Sequence, residues 1–117
     1  MTFIEELREL SASAALRHKL ERQLTEIKAK MKTAASNGYR GFKIDIITLL
    51  DPRPSVIRLP DINAENYYCI FTSNETFYID AISSFLNELG FSTSELAYAK
   101  HSNITDGYSS MLITILW

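Results

Sequence analysis

The chain has 117 residues, of which 46% are hydrophobic and 22% are charged, and its net charge is −2. This composition excludes general disorder, and the length fits one domain with a real core. No stretch of the sequence approaches the roughly 20 apolar residues of a membrane-spanning helix. The acidic N-terminus does not resemble a signal peptide, and the single cysteine excludes an internal disulfide, so we expect a cytoplasmic protein with one domain over 1–117.

The first predicted element is a long helix that begins after Thr2. Thr2 and Glu5 have the spacing of a capping box, in which each side chain accepts a hydrogen bond from the other residue's amide. The helix carries two apolar stripes at helical spacing, the first formed by Phe3, Leu7, Leu10 and Ala14 and the second by Leu16, Leu20, Leu24, Ile27, Met31 and Ala34. The two stripes point roughly 110° apart, so a straight helix cannot bury both against one surface.

Two arrangements answer this conflict, and both stay open at this point. Either the segment 11–15 breaks or kinks the helix, so that a short first helix folds back on its own core, or the first stripe docks on something else. A second polypeptide is one candidate, and Phe3, Leu7 and Leu10 then form the contact between the subunits of an oligomer. In both arrangements the domain consists of an N-terminal helical extension (1–14) and a core (16–117).

The remaining elements alternate between strands and one further helix. Asn37-Gly38 ends the first helix, and after it apolar residues alternate with Lys43 and Asp45, which predicts a strand with one buried face. We expect a strand at 42–50, an irregular connection at 51–66 that can hold an edge strand at 55–59, a strand at 67–72, a helix at 77–89, a weak strand at 91–98, a polar loop at 100–110 and a strand at 111–117. The first and last of these strands are apolar on both faces and belong inside the sheet.

These elements predict the fold class. We expect an α+β domain in which two main helices pack on one face of a mixed or antiparallel sheet of about four strands. The second helix is capped by Ser73 or Asn74 and ends at Gly90, where Phe91 folds back on the last turn. The unit of helix, glycine and aromatic residue therefore occurs twice in the chain.

No group of residues in the sequence points to catalysis. His18 and His101 lie on different elements, without metal-ligand spacing to a carboxylate cluster, and no glycine-rich loop is present to hold a phosphate. We expect Cys69 to be a small buried hydrophobe. Its pairing with a histidine as nucleophile and base stays open, although nothing local supports it. Surface solvation best explains carboxylates such as Asp45 and Asp51. We therefore expect no enzyme, no cofactor and no metal.

The basic segment 17–43 is one candidate binding region. It carries eight basic residues against two acidic ones. On a helical projection these charges cover the whole polar face, which favours a solvated helix face over a nucleic-acid ridge. Tyr39, Arg40 and Lys43 at the helix exit keep an anion-binding site open.

The loop 51–66 is the other candidate. Pro52 and Pro54 stiffen it, and Arg53 and Arg58 are placed to present two guanidinium groups to a phosphate or a carboxylate. The alternative is a crossover that only wraps an edge of the sheet. Long loops in compact domains are often functional, so both interpretations stay open.

Three segments carry a resemblance to a known group of proteins. They are Ala34-Ala35-Ser36-Asn37-Gly38, Phe85-Leu86-Asn87-Glu88-Leu89-Gly90-Phe91 and Leu112-Ile113-Thr114-Ile115-Leu116-Trp117. The pattern, over roughly 16–50 and 77–117, resembles small uncharacterised α+β accessory proteins of tailed bacteriophages. That group often ends in Ser-Trp, whereas Leu116 stands in place of the serine here. The resemblance implies a non-enzymatic role in the cytoplasm of a host cell.

The expected function follows from the residues and from this resemblance. We expect a binding protein, oligomeric through its N-terminal stripe, that inhibits a host or defence factor or sequesters a small anionic ligand. Recognition is expected at the helix exit and at Arg53 and Arg58. A structural or assembly protein of the virion is one alternative, and a nucleic-acid-binding protein that uses 17–43 is another. No membrane partner is expected.

Overall fold

A computed structural model describes residues 2–49, 64–103 and 107–117. Its elements in chain order are α1 (Phe3–Ser36), β1 (Gly41–Leu49), β2 (Tyr67–Thr72), α2 (Glu75–Glu88), β3 (Leu96–Asn103) and β4 (Tyr108–Leu116). The expected edge strand at 55–59 and most of the connection at 51–66 lie outside the described residues, as do positions 104–106 of the expected polar loop.

The four strands form one mixed sheet in the order β2-β1-β4-β3. β1 runs parallel to β2 and antiparallel to β4, with Ile44 opposite both Tyr68 and Ile113, and β4 pairs antiparallel with β3. The two strands that are apolar on both faces therefore occupy the middle of the sheet. The α+β fold with two helices and about four strands is confirmed.

Both helices pack on one face of this sheet. The register places Phe42, Ile44 and Ile46 of β1 on the same face as Ile113 and Ile115 of β4. The buried core cluster consists of Leu20, Ile27, Met31 and Ala34 from α1, Tyr78, Ile82 and Leu86 from α2, and Phe42, Ile44, Ile46, Ile70, Ile113 and Ile115 from the strands. A single apolar layer between sheet and helices thus holds the domain together.

The two helices end in the same way. The Tyr39 amide donates to the Ala34 carbonyl over 3.0 Å, and the Phe91 amide donates to the Leu86 carbonyl over 3.1 Å. Each is the long bond of a Schellman motif, which needs a left-handed residue just before the donor. Gly38 and Gly90 supply it with φ angles of 93° and 99°. The repeated helix ending is confirmed.

Replacement of Gly38 tests this ending. A Cβ atom added at Gly38 meets no atom within 4 Å, so the cost of Gly38→Ala is conformational rather than steric. We expect the free energy of unfolding to fall by about 1–2 kcal/mol, measured by urea denaturation. Gly38→Asn is the control and should cost less, because asparagine adopts left-handed conformations more readily. Equal losses for both variants would contradict this explanation.

The expected strand at 91–98 is wrong in its position. The strand is Leu96–Asn103, so the predicted polar loop at 100–110 contains parts of two strands. Before β3 the Glu95 carboxylate accepts hydrogen bonds from the Ser92 amide at 3.0 Å and from the Ser94 hydroxyl at 2.8 Å. Serine side chains that bond locally in this way compete with a strand ladder, and the pairing begins only after them.

The expectation of a break at 11–15 is also wrong, because α1 runs without interruption. The Thr2–Glu5 capping box is present, with both of its hydrogen bonds at 3.3 Å. The helix is about 51 Å long, and the long dimension of the molecule is 54 Å. The radius of gyration, 16.0 Å, exceeds the value of about 13 Å typical of a compact chain of this length. The first half of α1 therefore extends beyond the core rather than folding back on it.

Candidate partner-binding surface

The first half of α1 presents an apolar surface to solvent. The side chains of the N-terminal stripe (Phe3, Leu7 and Leu10) are 71%, 46% and 61% exposed. Ile4 flanks them and is also exposed, whereas Leu20 is the first residue of the helix that is buried. About 20 Å of helix therefore carries large apolar side chains without packing them on the domain.

Charge along α1 changes sign between its two halves. The exposed stretch holds Glu5, Glu6, Arg8 and Glu9, which gives it a net charge of −2. Six basic and two acidic residues follow as far as Lys32, and all eight of these side chains are exposed. Lys30 lies close to β2, since its Nζ is 3.4 Å from the Tyr67 carbonyl and 5.6 Å from the centre of the Tyr68 ring. The solvated-face interpretation of 17–43 and the nucleic-acid alternative both stay predictions.

Three of the predicted recognition residues lie where α1 passes into β1. Tyr39, Arg40 and Lys43 are all exposed, and the Arg40 carbonyl accepts a hydrogen bond of 3.1 Å from the Trp117 amide. The structure therefore brings the C-terminus to this exit, which the sequence did not indicate. Lys43 lies on the sheet face opposite the helices, because it alternates with Phe42 and Ile44. An anion site formed by these residues stays a prediction.

An open apolar depression lies beside the exit. It has a volume of about 210 Å³ and is lined by Met31, Lys32, Ala35, Phe91 and Trp117. Ligand pockets for small molecules usually measure about 300–1,000 Å³, so this one is small for that purpose. The other predicted recognition residues, Arg53 and Arg58, lie outside the described residues.

The sheet face opposite the helices contains a polar cluster that the sequence did not reveal. Asp45, expected to be solvated, is only 5% exposed. Its Oδ2 accepts a hydrogen bond of 2.8 Å from the Tyr67 hydroxyl, and no described residue donates to its Oδ1. Cys69 lies directly opposite Asp45 on β2 and is half-buried. The one feature of the sequence that could have indicated this cluster is the position of Asp45 among the isoleucines of a central strand.

Burial controls the protonation of this cluster. It raises the pKa of Asp45, although the Tyr67 bond opposes the shift, and it raises the pKa of Cys69 to about 11. The pKa of Tyr67 is raised by burial and by its bond to Asp45. The Cys69 thiol is therefore protonated at neutral pH, whereas a nucleophilic cysteine has a lowered pKa.

Asp45 gives a pH prediction. Its pKa is higher in the folded chain than in the unfolded chain, so folding binds a proton and the free energy of unfolding falls as pH rises above about 4. Asp45→Asn removes this contribution. We expect the stability of the variant relative to the natural chain to increase from pH 4 to pH 7 in urea denaturation.

The control is Tyr67→Phe, which keeps the Asp45 carboxyl group and removes the hydroxyl that donates a hydrogen bond to it. It should lower the free energy of unfolding by about 1–3 kcal/mol at pH 7. A difference between Asp45→Asn and the natural chain that is the same at both pH values would refute the assignment of a raised pKa to Asp45.

The described residues also bear on metal binding and on membrane insertion. Within them, no group of three or more His, Cys, Asp or Glu side chains is arranged to hold a metal ion. Neither of the two described helices is long and apolar enough to cross a membrane.

Comparison with known proteins gives no match. No protein-family model, no curated protein and no solved structure matches the chain. The resemblance to phage accessory proteins therefore stays a prediction.

Proposed function

We propose that the protein is a non-enzymatic binding protein that docks another polypeptide on the N-terminal stripe of α1. The observation that carries this proposal is the extension of an unbroken, capped helix beyond the core with its large apolar residues facing solvent. A helix whose only task is to cover the sheet gains nothing from Phe3, Leu7 and Leu10. Their exposure is unfavourable unless another surface covers them.

The energetics favour a helical partner or a groove. Burying an exposed leucine or phenylalanine side chain contributes about 1.5–3 kcal/mol, and three such residues lie on one side of the helix. Residues spaced three and four apart are the usual anchors when a helix lies in a groove or pairs with another helix. The stripe is also preorganised, because the capping box holds the first turn of α1.

The protein acts by occupying its partner rather than by chemistry on it. The protonation state of Cys69, the one cysteine of the chain, supports this part of the proposal. Burial keeps its thiol protonated at neutral pH. The resemblance to phage proteins adds that the partner is a host or defence factor met in the cytoplasm, or a component of the virion.

A photoreactive amino acid placed at Leu7 tests the proposal. The protein is irradiated in an extract of its natural source, and the adducts are identified by mass spectrometry. The matched control places the same amino acid at Ala12, which is exposed on the opposite side of α1. We expect a defined protein adduct at position 7 that is absent at position 12. Equal labelling from both positions, or none from either, would count against the docking function.

A further inference from the structure

We propose that the free edge of β3 binds a second copy of this chain, so that two β3 strands pair antiparallel around Ala99 and join the two sheets into one. β3 forms an edge of the sheet, since β4 is its one neighbour in the strand order. The pairing goes beyond the proposed function, because this edge is a surface distinct from the N-terminal stripe of α1. The contact is two-fold symmetric and uses the same edge of both copies.

The free edge of β3 carries unpaired backbone groups. The Leu116 amide donates to the Glu95 carbonyl over 2.8 Å, and this bond fixes the alternation of hydrogen bonds along the β3–β4 ladder. The residues whose N–H and C=O groups point away from β4 are therefore Leu96, Tyr98, Lys100 and Ser102. No described backbone group pairs with them. Each copy thus offers a row of alternating donors and acceptors to an extended strand.

β3 lacks the features that usually protect an exposed edge. It contains no proline, its register with β4 has no bulge, and the side chains at 97–102 are all exposed. Lys100, the one lysine of the strand, would repel another strand, but its Nζ lies 3.0 Å from the Glu75 carboxylate. A long, exposed edge without such protection is a template for pairing with another chain.

The alternation of backbone groups selects one register for the pair. Two edges form hydrogen bonds only where residues with outward-pointing groups face one another. A two-fold axis at Ala99 is the one axis that pairs all four outward residues of one copy with those of the other. Tyr98 of each copy then lies opposite Lys100 of the other, where the ring and the ammonium group attract. A two-fold axis at Lys100 instead sets two lysines opposite each other, which is unfavourable.

The side chains on the outer face fit the same axis. Ala99 faces its own copy at a position without hydrogen bonds, where the Cα atoms of antiparallel strands are about 4.5 Å apart. Ala97 lies opposite His101 of the other copy on this face. An alanine therefore occupies at least one side of each of these contacts, and no like charges meet. β3 is thus complementary to itself, which favours a second copy as its partner.

Cross-linking at position 99 tests the pairing and its register. Ala99→Cys in a Cys69→Ala background is oxidised as the full chain, and the covalent dimer is measured by non-reducing electrophoresis. The predicted Cα distance across the axis lies within the range of about 4.4–6.8 Å that a disulfide spans. The matched control is Ala97→Cys in the same background, because its two copies lie about 14 Å apart.

We expect a covalent dimer from the cysteine at position 99 and none from the cysteine at position 97. Equal yields at the two positions, or no covalent dimer from position 99, overturn the inference.

Charges placed at the axis test whether the partner is a second copy. In sedimentation equilibrium of the full chain, Ala99→Glu should raise the dissociation constant of the dimer about tenfold or more, because two carboxylates then face each other. Ala97→Glu is the control and should change it less than about threefold, since its carboxylate lies opposite His101.

An equimolar mixture of the Ala99→Glu and Ala99→Lys chains should restore dimers, because opposite charges then meet at the axis. A natural chain that stays monomeric at the highest attainable concentration overturns the inference. A mixture that dimerises no better than Ala99→Glu alone does so as well.

Discussion

Phe42→Ala is expected to lower the free energy of unfolding by about 3–5 kcal/mol, the largest effect of any single truncation considered for this chain. Phe42 lies on central β1, is fully buried and belongs to the core cluster between the sheet and the helices. Alanine leaves a cavity that the packed neighbours fill only in part. A domain of this size is typically stable by 5–15 kcal/mol, so the loss is a large share of the total.

Phe3→Ala is the matched control for this prediction, because it removes the same atoms from an exposed site. Phe3 is the most exposed large apolar side chain among the described residues. We expect a change within about 0.5 kcal/mol, measured by urea denaturation at a concentration at which the chain is monomeric. A loss at Phe3 similar to that at Phe42 would show that the start of α1 packs on its own domain and would contradict the extended helix.

The double variant Leu7→Ala, Leu10→Ala is expected to weaken the contact with the docked polypeptide at least about 100-fold. Each leucine contributes about 1.5 kcal/mol or more when buried, and the two together amount to about 3 kcal/mol. The chain concentration needed to form the adduct, with the photoreactive amino acid placed at Phe3 in both chains, measures the effect. Stability of the isolated chain should stay within about 0.5 kcal/mol, because alanine is a strong helix former.

Leu20→Ala is expected to lower the stability of the chain without weakening the stripe contact. Leu20 lies on the same helix but belongs to the core cluster, so its truncation should cost about 2–5 kcal/mol of folding free energy. It should leave the stripe contact unchanged when the folded chain is assayed. If the double variant unfolds the chain instead, or if it forms the adduct like the natural protein, the stripe is not the binding face.

Hydrophobic periodicity was enough to predict the architecture. The apolar runs of β1 and β4 identified the two central strands, and the glycines at the ends of both helices identified where each helix stops. The position of β3 could not be predicted, because its sequence is polar and its start is set by the hydrogen bonds of Ser92 and Ser94 to Glu95. The position of such an edge strand is determined by its pairing with β4 rather than by its own sequence.

The sequence predicted the two apolar stripes of the candidate surface but not the course of the helix that carries them. The two stripes of α1 showed that one surface cannot cover both, but their spacing did not distinguish a broken helix from an extended one. Alanine and serine at 11–15 are compatible with an uninterrupted helix, and the structure has one. Burial of Asp45 was missed because alternation along β1 assigns it to the outer face, and the alternation cannot show that this face is also covered.

Hydrogen exchange along α1 tests most directly the claim that its first half is not packed on the domain. We expect the amides of residues 6–15 to exchange fast in dilute protein. Amides between Leu24 and Ala34 should stay protected at every concentration, since this part of α1 packs on the core. Slow exchange at residues 6–15, equal to that at residues 24–34 even in the most dilute sample, would contradict the claim.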